Sequence, residues 1–517
     1  MFLTVFFVLI LLSSFTPVYA NVTLSGLFSD NMVLQRGMET KVWGYADTDE
    51  TIIVEFNDQK IQATPGIDGK WMVLLKNLQP GGPHKMVISG KNIIELNNIL
   101  VGDVWVCSGQ SNMAWPMSKT SNAAFDVANS TNPLIRIFTV PRISTTTELE
   151  LTISKWSECL PATVLSYSGV AYFFGKNMVD TTKVPVGLIN ASVGATPIEP
   201  WMSQKELTTN PVLAEDYKKI VELENSYTEV PVPVKKTITE NIDYDPTALA
   251  DNTPKTIKKP VVSAAQRQSV CYNGMISPLL NYTIKGVIWY QGENNSLRTM
   301  DYGKLFPAMI TSWRQAWNIG EFPFIFVQLA YYGKPEKQDK GAWSIIQEAQ
   351  LRTWQTVPNT GMVVTLDIGD VSVHPKDKST VGYRLSLHAR KLVFSENIEC
   401  SGPVYDSVKY NKNKAYVKFT HAADGIKVSK PGEKPLWFCI AGEDKVFYNA
   451  DTVISGKDTV TLTAPEVKNP VAVRYAWAIA PVNNIVNSLG LPASPFRTDN
   501  WDNVLVPLPP GVITATK

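Results

Sequence analysis

Five unbroken apolar runs constrain this chain more than any other feature. Asp103-Val104-Trp105-Val106-Cys107 is the first, and residues 186–190, 286–290, 324–328 and 362–366 repeat the pattern. A strand buried on one face alternates apolar with polar side chains. A continuous run is the mark of a strand buried on both faces, as parallel strands are when helices cover the sheet. Parallel pairing also demands crossovers of a dozen or more residues, and helix-like segments at 302–317 and 342–356 stand between the runs. Residues 100–395 therefore read as an α/β domain. Within it, residues 207–264 are rich in Lys, Glu, Thr and Pro and read as an insertion.

The flanks carry a different signal. Over residues 21–99, short alternating runs such as Ile52-Ile53-Val54-Glu55-Phe56 and Trp71-Met72-Val73-Leu74-Leu75 are separated by turn signals, including Asp68-Gly69. This spacing predicts a small β-sandwich. Short β-like runs return near 415–419 and 459–462, so residues 396–517 read as a C-terminal β region. Three units suit the length, because a single core stops growing at roughly 250–300 residues and the chain has 517.

Residues 1–20 are apolar and end in Val18-Tyr19-Ala20, the pattern of a cleavable secretory signal. The run is short for a membrane span. Asn-x-Ser/Thr sequons begin at Asn21, Asn129, Asn190, Asn281 and Asn294 and agree with a glycoprotein on the secretory route, secreted or lysosomal. Five cysteines leave at least one unpaired within the chain. Cys400 and Cys439 share the C-terminal region and are placed to form a disulfide, whereas Cys107 sits in an apolar strand and reads as a buried thiol. A net charge of +1, from 48 basic and 47 acidic residues, offers no field for nucleic acid.

The run at 103–107 leads into a tight polar turn, Ser108-Gly109-Gln110-Ser111-Asn112-Met113. Reactive groups in open α/β sheets collect at the carboxyl ends of strands, which makes Ser111 a candidate nucleophile. The GxSxG elbow of ordinary α/β-hydrolases is absent, since Met113 stands where the second glycine belongs.

Gly109-Gln110-Ser111-Asn112-Met113 resembles the nucleophile block of sialate O-acetylesterases and related carbohydrate acetylesterases, a branch of the SGNH (GDSL-like) hydrolases. Three further blocks follow in the order of that family: Gly187 to Trp201, Trp289-Tyr290-Gln291-Gly292-Glu293-Asn294-Asn295, and His374-Pro375. The resemblance reaches Asp30-Asn31-Met32-Val33-Leu34-Gln35 near one end and Gly490-Leu491-Pro492-Ala493-Ser494-Pro495-Phe496-Arg497 near the other. It implies an SGNH-hydrolase-type α/β domain with a flavodoxin-like parallel sheet, flanked by N-terminal and C-terminal β domains. It also implies hydrolysis of O-acetyl esters of sialic acids, or of other acetylated carbohydrates such as xylan, through an acetyl-Ser111 intermediate.

Acyl transfer needs a base, an oxyanion site and an orienter. A serine hydroxyl is a weak nucleophile until a neighbouring base takes its proton. Of His84, His374, His388 and His421, only His374 follows the loop after a buried run; His388 reads as mid-helix, and the other two fall in β regions. Candidate oxyanion donors are the amides of Ser111 and Gly194 and one side-chain amide, Gln291 before Asn295. Glu293 cannot donate when ionised and reads as ordering its loop. The wider superfamily commonly has Asp three residues before the histidine, where this chain has Val371. Asp370 is the nearest replacement and Asp367 the next, with a backbone carbonyl as a third option. Asn295 and Trp115 are candidates for substrate binding, and Trp115, Trp201 and Tyr290 for stacking on a sugar ring. No cofactor is implied. A sugar-binding module without catalysis is the competing class, but it has no use for both Ser111 and His374. A metal-dependent hydrolase is disfavoured by the lack of HExxH or clustered His and Asp.

Overall fold

In a computed structural model of the chain, which describes residues 21–225, 264–335, 341–481, 483–502 and 504–509, each of the five apolar runs contributes a parallel strand. Residues 1–20, read as a signal, and residues 226–263 of the stretch 207–264 read as an insertion lie outside the described residues. The strands are β1 (Ile93–Gly109), β2 (Asn132–Thr139), β3 (Val186–Ser192), β4 (Gly286–Tyr290), β5 (Phe324–Val327) and β6 (Thr360–Val363). They stand in the order β2-β3-β1-β4-β5-β6, each parallel to its neighbour, and Ser157–Cys159 closes the β2 edge antiparallel. β2 is the strand that no continuous apolar run announced: its burial is confined to one end.

The sequence order reverses about β1. β3 pairs on one side of it and β4 on the other, so this is the switch point at which loops diverge and leave a crevice at the carboxyl ends of the strands. The loops after β1, β3 and β4 carry the first three blocks noted in the sequence. Helices α1 (Gly169–Thr182), α2 (Thr299–Trp317), α3 (Ala342–Thr356) and α4 (Lys378–Phe394) cover the sheet. α1 and α4 pack closely, since a Cβ on Gly382 would fall 2.6 Å from Phe173 Cβ and the Phe174 amide. Among the described residues no helix is long and apolar enough to cross a membrane.

β1 also joins the central sheet to the N-terminal one. Its burial alternates as far as Asn98 and is continuous from Ile99; it pairs antiparallel with Gly81–Ser89 as far as Val101 and pairs with β3 in the parallel sheet from Asp103. A single strand thus passes through the 99/100 boundary without a linker. Ile52–Phe56 and Gln59–Ala63 extend the first half, while Thr23–Leu24, Thr40–Tyr45 and Lys70–Leu75 form a separate sheet. The C-terminal region holds two four-stranded antiparallel sheets and a two-stranded pair.

The disulfide expected between Cys400 and Cys439 is not formed; all five cysteines are free and buried. Cys439 lies in the strand Phe438–Ala441 with its Sγ toward the Arg474 carbonyl, whereas Cys400 packs against Leu387 and Leu491. Cys107 is the buried thiol expected, pushed well up by desolvation.

β1 ends at Gly109 with φ +134°, where a Cβ would stand 2.1 Å from the Tyr290 carbonyl oxygen. Gly109→Ala is expected to destabilise the protein by about 3 kcal/mol or more, from backbone strain and overlap together, read as a lower urea midpoint at unchanged slope. His388, enclosed in α4 against Gly361 and Trp354, is driven by burial down to about 3. Its folded-state value lies below the unfolded one, so unfolding takes up a proton and stability falls as pH drops from about 6.5 toward 3. Between pH 6 and 4, His388→Gln should flatten the unfolding free energy by about 1.4 kcal/mol per pH unit relative to the native chain.

Candidate active site

Past Gly109 the chain turns through Gln110 into one helical turn, Ser111–Ala114, which places Ser111 at its first position. The Gln110 amide donates to the Tyr290 carbonyl at 3.0 Å, and its side-chain oxygen accepts the Gly292 and Asn294 amides at 3.4 and 3.3 Å. This ties the serine turn to the loop after β4. Gly194, in the loop after β3, lies against the serine: a Cβ there would sit 3.5 Å from Ser111 Cβ. The Val193 amide holds that loop on the Gly109 carbonyl at 3.1 Å.

His374 arrives from the loop between β6 and α4, and its Nε2 lies 2.8 Å from Ser111 Oγ. The two residues are 263 positions apart in sequence. The half-buried Trp115 stacks on the imidazole, with ring centres 4.8 Å apart and planes inclined by 23°. The Ser372 hydroxyl accepts the His374 amide at 3.2 Å, and Asp377 caps α4 by accepting the Thr380 amide at 3.0 Å. Both bonds fix the loop close to the imidazole. The other histidines stand apart from the serine: His388 is buried in α4, His421 contacts Glu399 at 2.9 Å, and His84 packs on Phe56.

Several sequence expectations are corrected here. Gln291 is fully buried, and its amide nitrogen is spent on Asn295 Oδ1 at 2.7 Å and the Thr196 carbonyl at 3.2 Å, so it braces the loops instead of donating to an oxyanion. Asn295 is equally buried. Its oxygen also accepts the Ile198 amide at 2.9 Å, and its nitrogen donates to Glu199 at 3.2 Å, which leaves it no surface toward a substrate. Asp370 accepts the Val371 amide at 2.6 Å and so shapes the histidine loop. Asp367 is gripped by Arg384 through two bonds of 2.6 Å. Trp201 and Tyr290 are core residues, and of the three aromatic candidates Trp115 alone stands beside the histidine. Two sequons fall inside the second and third blocks, and there Asn190 accepts the Ser192 hydroxyl at 2.7 Å and Asn294 donates to the Ala195 carbonyl at 2.6 Å.

The structure adds a buried polar group that sequence reasoning did not assemble. Asn112 Nδ2 donates to Glu293 at 2.5 Å and to the Val373 carbonyl at 2.9 Å, while Lys378 Nζ donates to Asn112 Oδ1 at 2.5 Å. Burial pushes the Glu293 carboxyl up and pulls the Lys378 ammonium down to about 7. Glu293 thus ties the loop after β4 to the nucleophile turn through Asn112. The available signal for Lys378 was its place, four residues after the candidate base, at the first position of a helix where a cation opposes the helix dipole.

Known proteins are similar to this chain over most of its length. A family model described as carbohydrate esterase, sialic acid-specific acetylesterase, matches residues 101–228 and 262–388. Human sialate O-acetylesterase is 30% identical over 521 residues, covering 90% of this chain and 91% of that protein. The mouse protein of the same name is 30% identical over 524 residues, with 91% and 93% covered. A solved structure of a carbohydrate acetylesterase from Xanthomonas citri superposes with a TM-score of 0.79 at 32% identity, covering 93% of this chain and 100% of that one. Similarity that runs over nine-tenths of both chains, and is not confined to the neighbourhood of one serine, means that this chain belongs to the carbohydrate esterase family of sialic acid-specific acetylesterases, which are carboxylic ester hydrolases.

Proposed function

We propose that the chain is a serine esterase that releases acetate from O-acetylated sialic acids. The contact of 2.8 Å between Ser111 Oγ and His374 Nε2 carries this reading, because it joins a hydroxyl to a base within proton-transfer reach at the carboxyl end of the sheet. Ser111 Oγ attacks the acetyl carbonyl carbon while His374 takes its proton. The tetrahedral intermediate collapses with cleavage of the bond to the sugar oxygen, which leaves as a hydroxyl carrying the proton from His374. Water then attacks acetyl-Ser111, its proton passing to His374 and on to Ser111 Oγ as acetate departs. The amides of Ser111 and Gly194 are the oxyanion donors in this scheme, each worth about 10²–10³ in rate.

Support for an SGNH-type domain comes from the order of the five foreseen strands, β3-β1-β4-β5-β6, which is the 2-1-3-4-5 order of flavodoxin-like sheets. The sialate O-acetylesterases among the relatives favour sialic acid as the sugar. The Xanthomonas citri enzyme, named only as a carbohydrate acetylesterase, favours a second reading in which other acetylated sugars are accepted. The apolar residues 1–20 and the exposed asparagines Asn21, Asn129 and Asn281 of three sequons support an exported glycoprotein, secreted or lysosomal.

Acetate release from 9-O-acetylated sialic acid and from acetylated xylan tests both readings. Ser111→Ala and His374→Ala are each expected to lower kcat at least about 10⁴-fold on the preferred substrate, with the folded fraction unchanged. Equal release by Ser111→Ala would remove the serine mechanism, and a preference for xylan would select the second reading.

A further inference from the structure

We infer that Lys378 is a positioning residue for the Ser111–His374 pair, acting through Asn112 on the loop that carries the base. The inference rests on the serine mechanism proposed above.

Lys378 is fully buried at the start of α4. Desolvation and the positive pole of the helix both oppose a cation there, so its retention calls for a compensating interaction. Its stem passes beside Gly169, where a Cβ would approach Lys378 Cβ to 3.4 Å. Its Nζ lies 5.3 Å from the centre of the Tyr290 ring and 5.9 Å from that of Trp115, within cation–π range. Its hydrogen bond goes to Asn112 Oδ1 at 2.5 Å.

That bond decides which way the Asn112 amide points. A side-chain amide has an accepting end and a donating end. With the oxygen held by Lys378, the nitrogen must face Glu293 and the Val373 carbonyl, and its bonds of 2.5 and 2.9 Å do so. Asn112 follows the nucleophile and Val373 precedes the base. One oriented amide therefore sets the spacing of the reacting pair. Glu293 closes the same enclosed group: one of its oxygens accepts the Asn112 amide, and the other is buried with no hydrogen-bond partner among the described residues. With Lys378 removed, Asn112 loses the donor that fixes its oxygen and is free to turn over, which would set that oxygen against the Val373 carbonyl and release the loop.

The test is a double-mutant cycle on Lys378→Met and Asn112→Ala, assayed with 4-nitrophenyl acetate. Rates are counted per site titrated by a fluorophosphonate, and Ser111→Ala is run beside them. The expected result is a kcat per site at least about tenfold lower for Lys378→Met with KM within about twofold, and a double variant no slower than Asn112→Ala alone. An undiminished kcat per site in Lys378→Met, or multiplicative losses in the double variant, would overturn the inference, since a lysine that only fills space changes the folded fraction and not the rate per site. Should Lys378→Met not fold, Lys378→Gln takes its place in the cycle, and an undiminished rate or multiplicative losses there overturn the inference equally. Activity in Ser111→Ala would instead remove the mechanism on which the inference rests, and the inference with it.

Discussion

Burial of β1 on both faces is the constraint from which the rest of the structure follows. From Ile99 to Gly109 every residue of this strand is buried, and it is paired on one side with β3 and on the other with β4. A strand so enclosed cannot slip in register without turning core side chains toward the wrong surface. Its end is therefore a fixed point, and the nucleophile turn begins there. The approach of Gly109 to the Tyr290 carbonyl leaves no space for a side chain and holds the serine loop against the loop after β4.

Fixing the strand ends does not by itself place the side chains that follow them. Loops leaving a sheet carry backbone and amide groups that must find partners once water is excluded. Here the partners are side-chain amides. Gln110 receives the amides of the β4 loop, Asn295 receives Ile198 from the β3 loop, and Asn112 reaches the histidine loop. Gln350 on α3 extends the pattern by donating to the Gln291 carbonyl at 3.1 Å and accepting the Leu329 amide at 3.0 Å. The C-terminal region joins the same scaffold: Gln328 donates to Ser494 at 2.9 Å, and Arg497 grips Glu348 of α3 with bonds of 3.1 and 2.9 Å. The C-terminal segment 490–497, noted in the sequence for its resemblance, thus braces the helix behind the third block.

Much of this was legible in the residues. Continuous apolar runs located five of the parallel strands, because burial on two faces leaves a signature within a few consecutive positions. β2 escaped for the complementary reason: near the sheet edge only part of it is buried, so its pattern is mixed. Ser111 and His374 were singled out by their place after buried runs and by the ordered blocks around them. Gln291 was assigned the wrong task because an amide next to a strand end can face the crevice or a neighbouring loop, and sequence proximity does not distinguish the two. Cys400 and Cys439 fall in the same region of the chain, yet one enters a sheet and the other packs against α4.

What the sequence determined by itself is therefore local: where the chain is buried on one face or two, which residue types stand at the strand ends, and to which family the ordered blocks point. What only the tertiary structure decided is the meeting of those blocks: the order of strands about β1, the contact of 2.8 Å between residues 263 positions apart, and the orientation of Asn112 between Lys378, Glu293 and Val373. The physical reason is that hydrophobic periodicity is written in neighbouring residues. The pairing of buried polar groups depends instead on which distant loops the fold brings within hydrogen-bond reach.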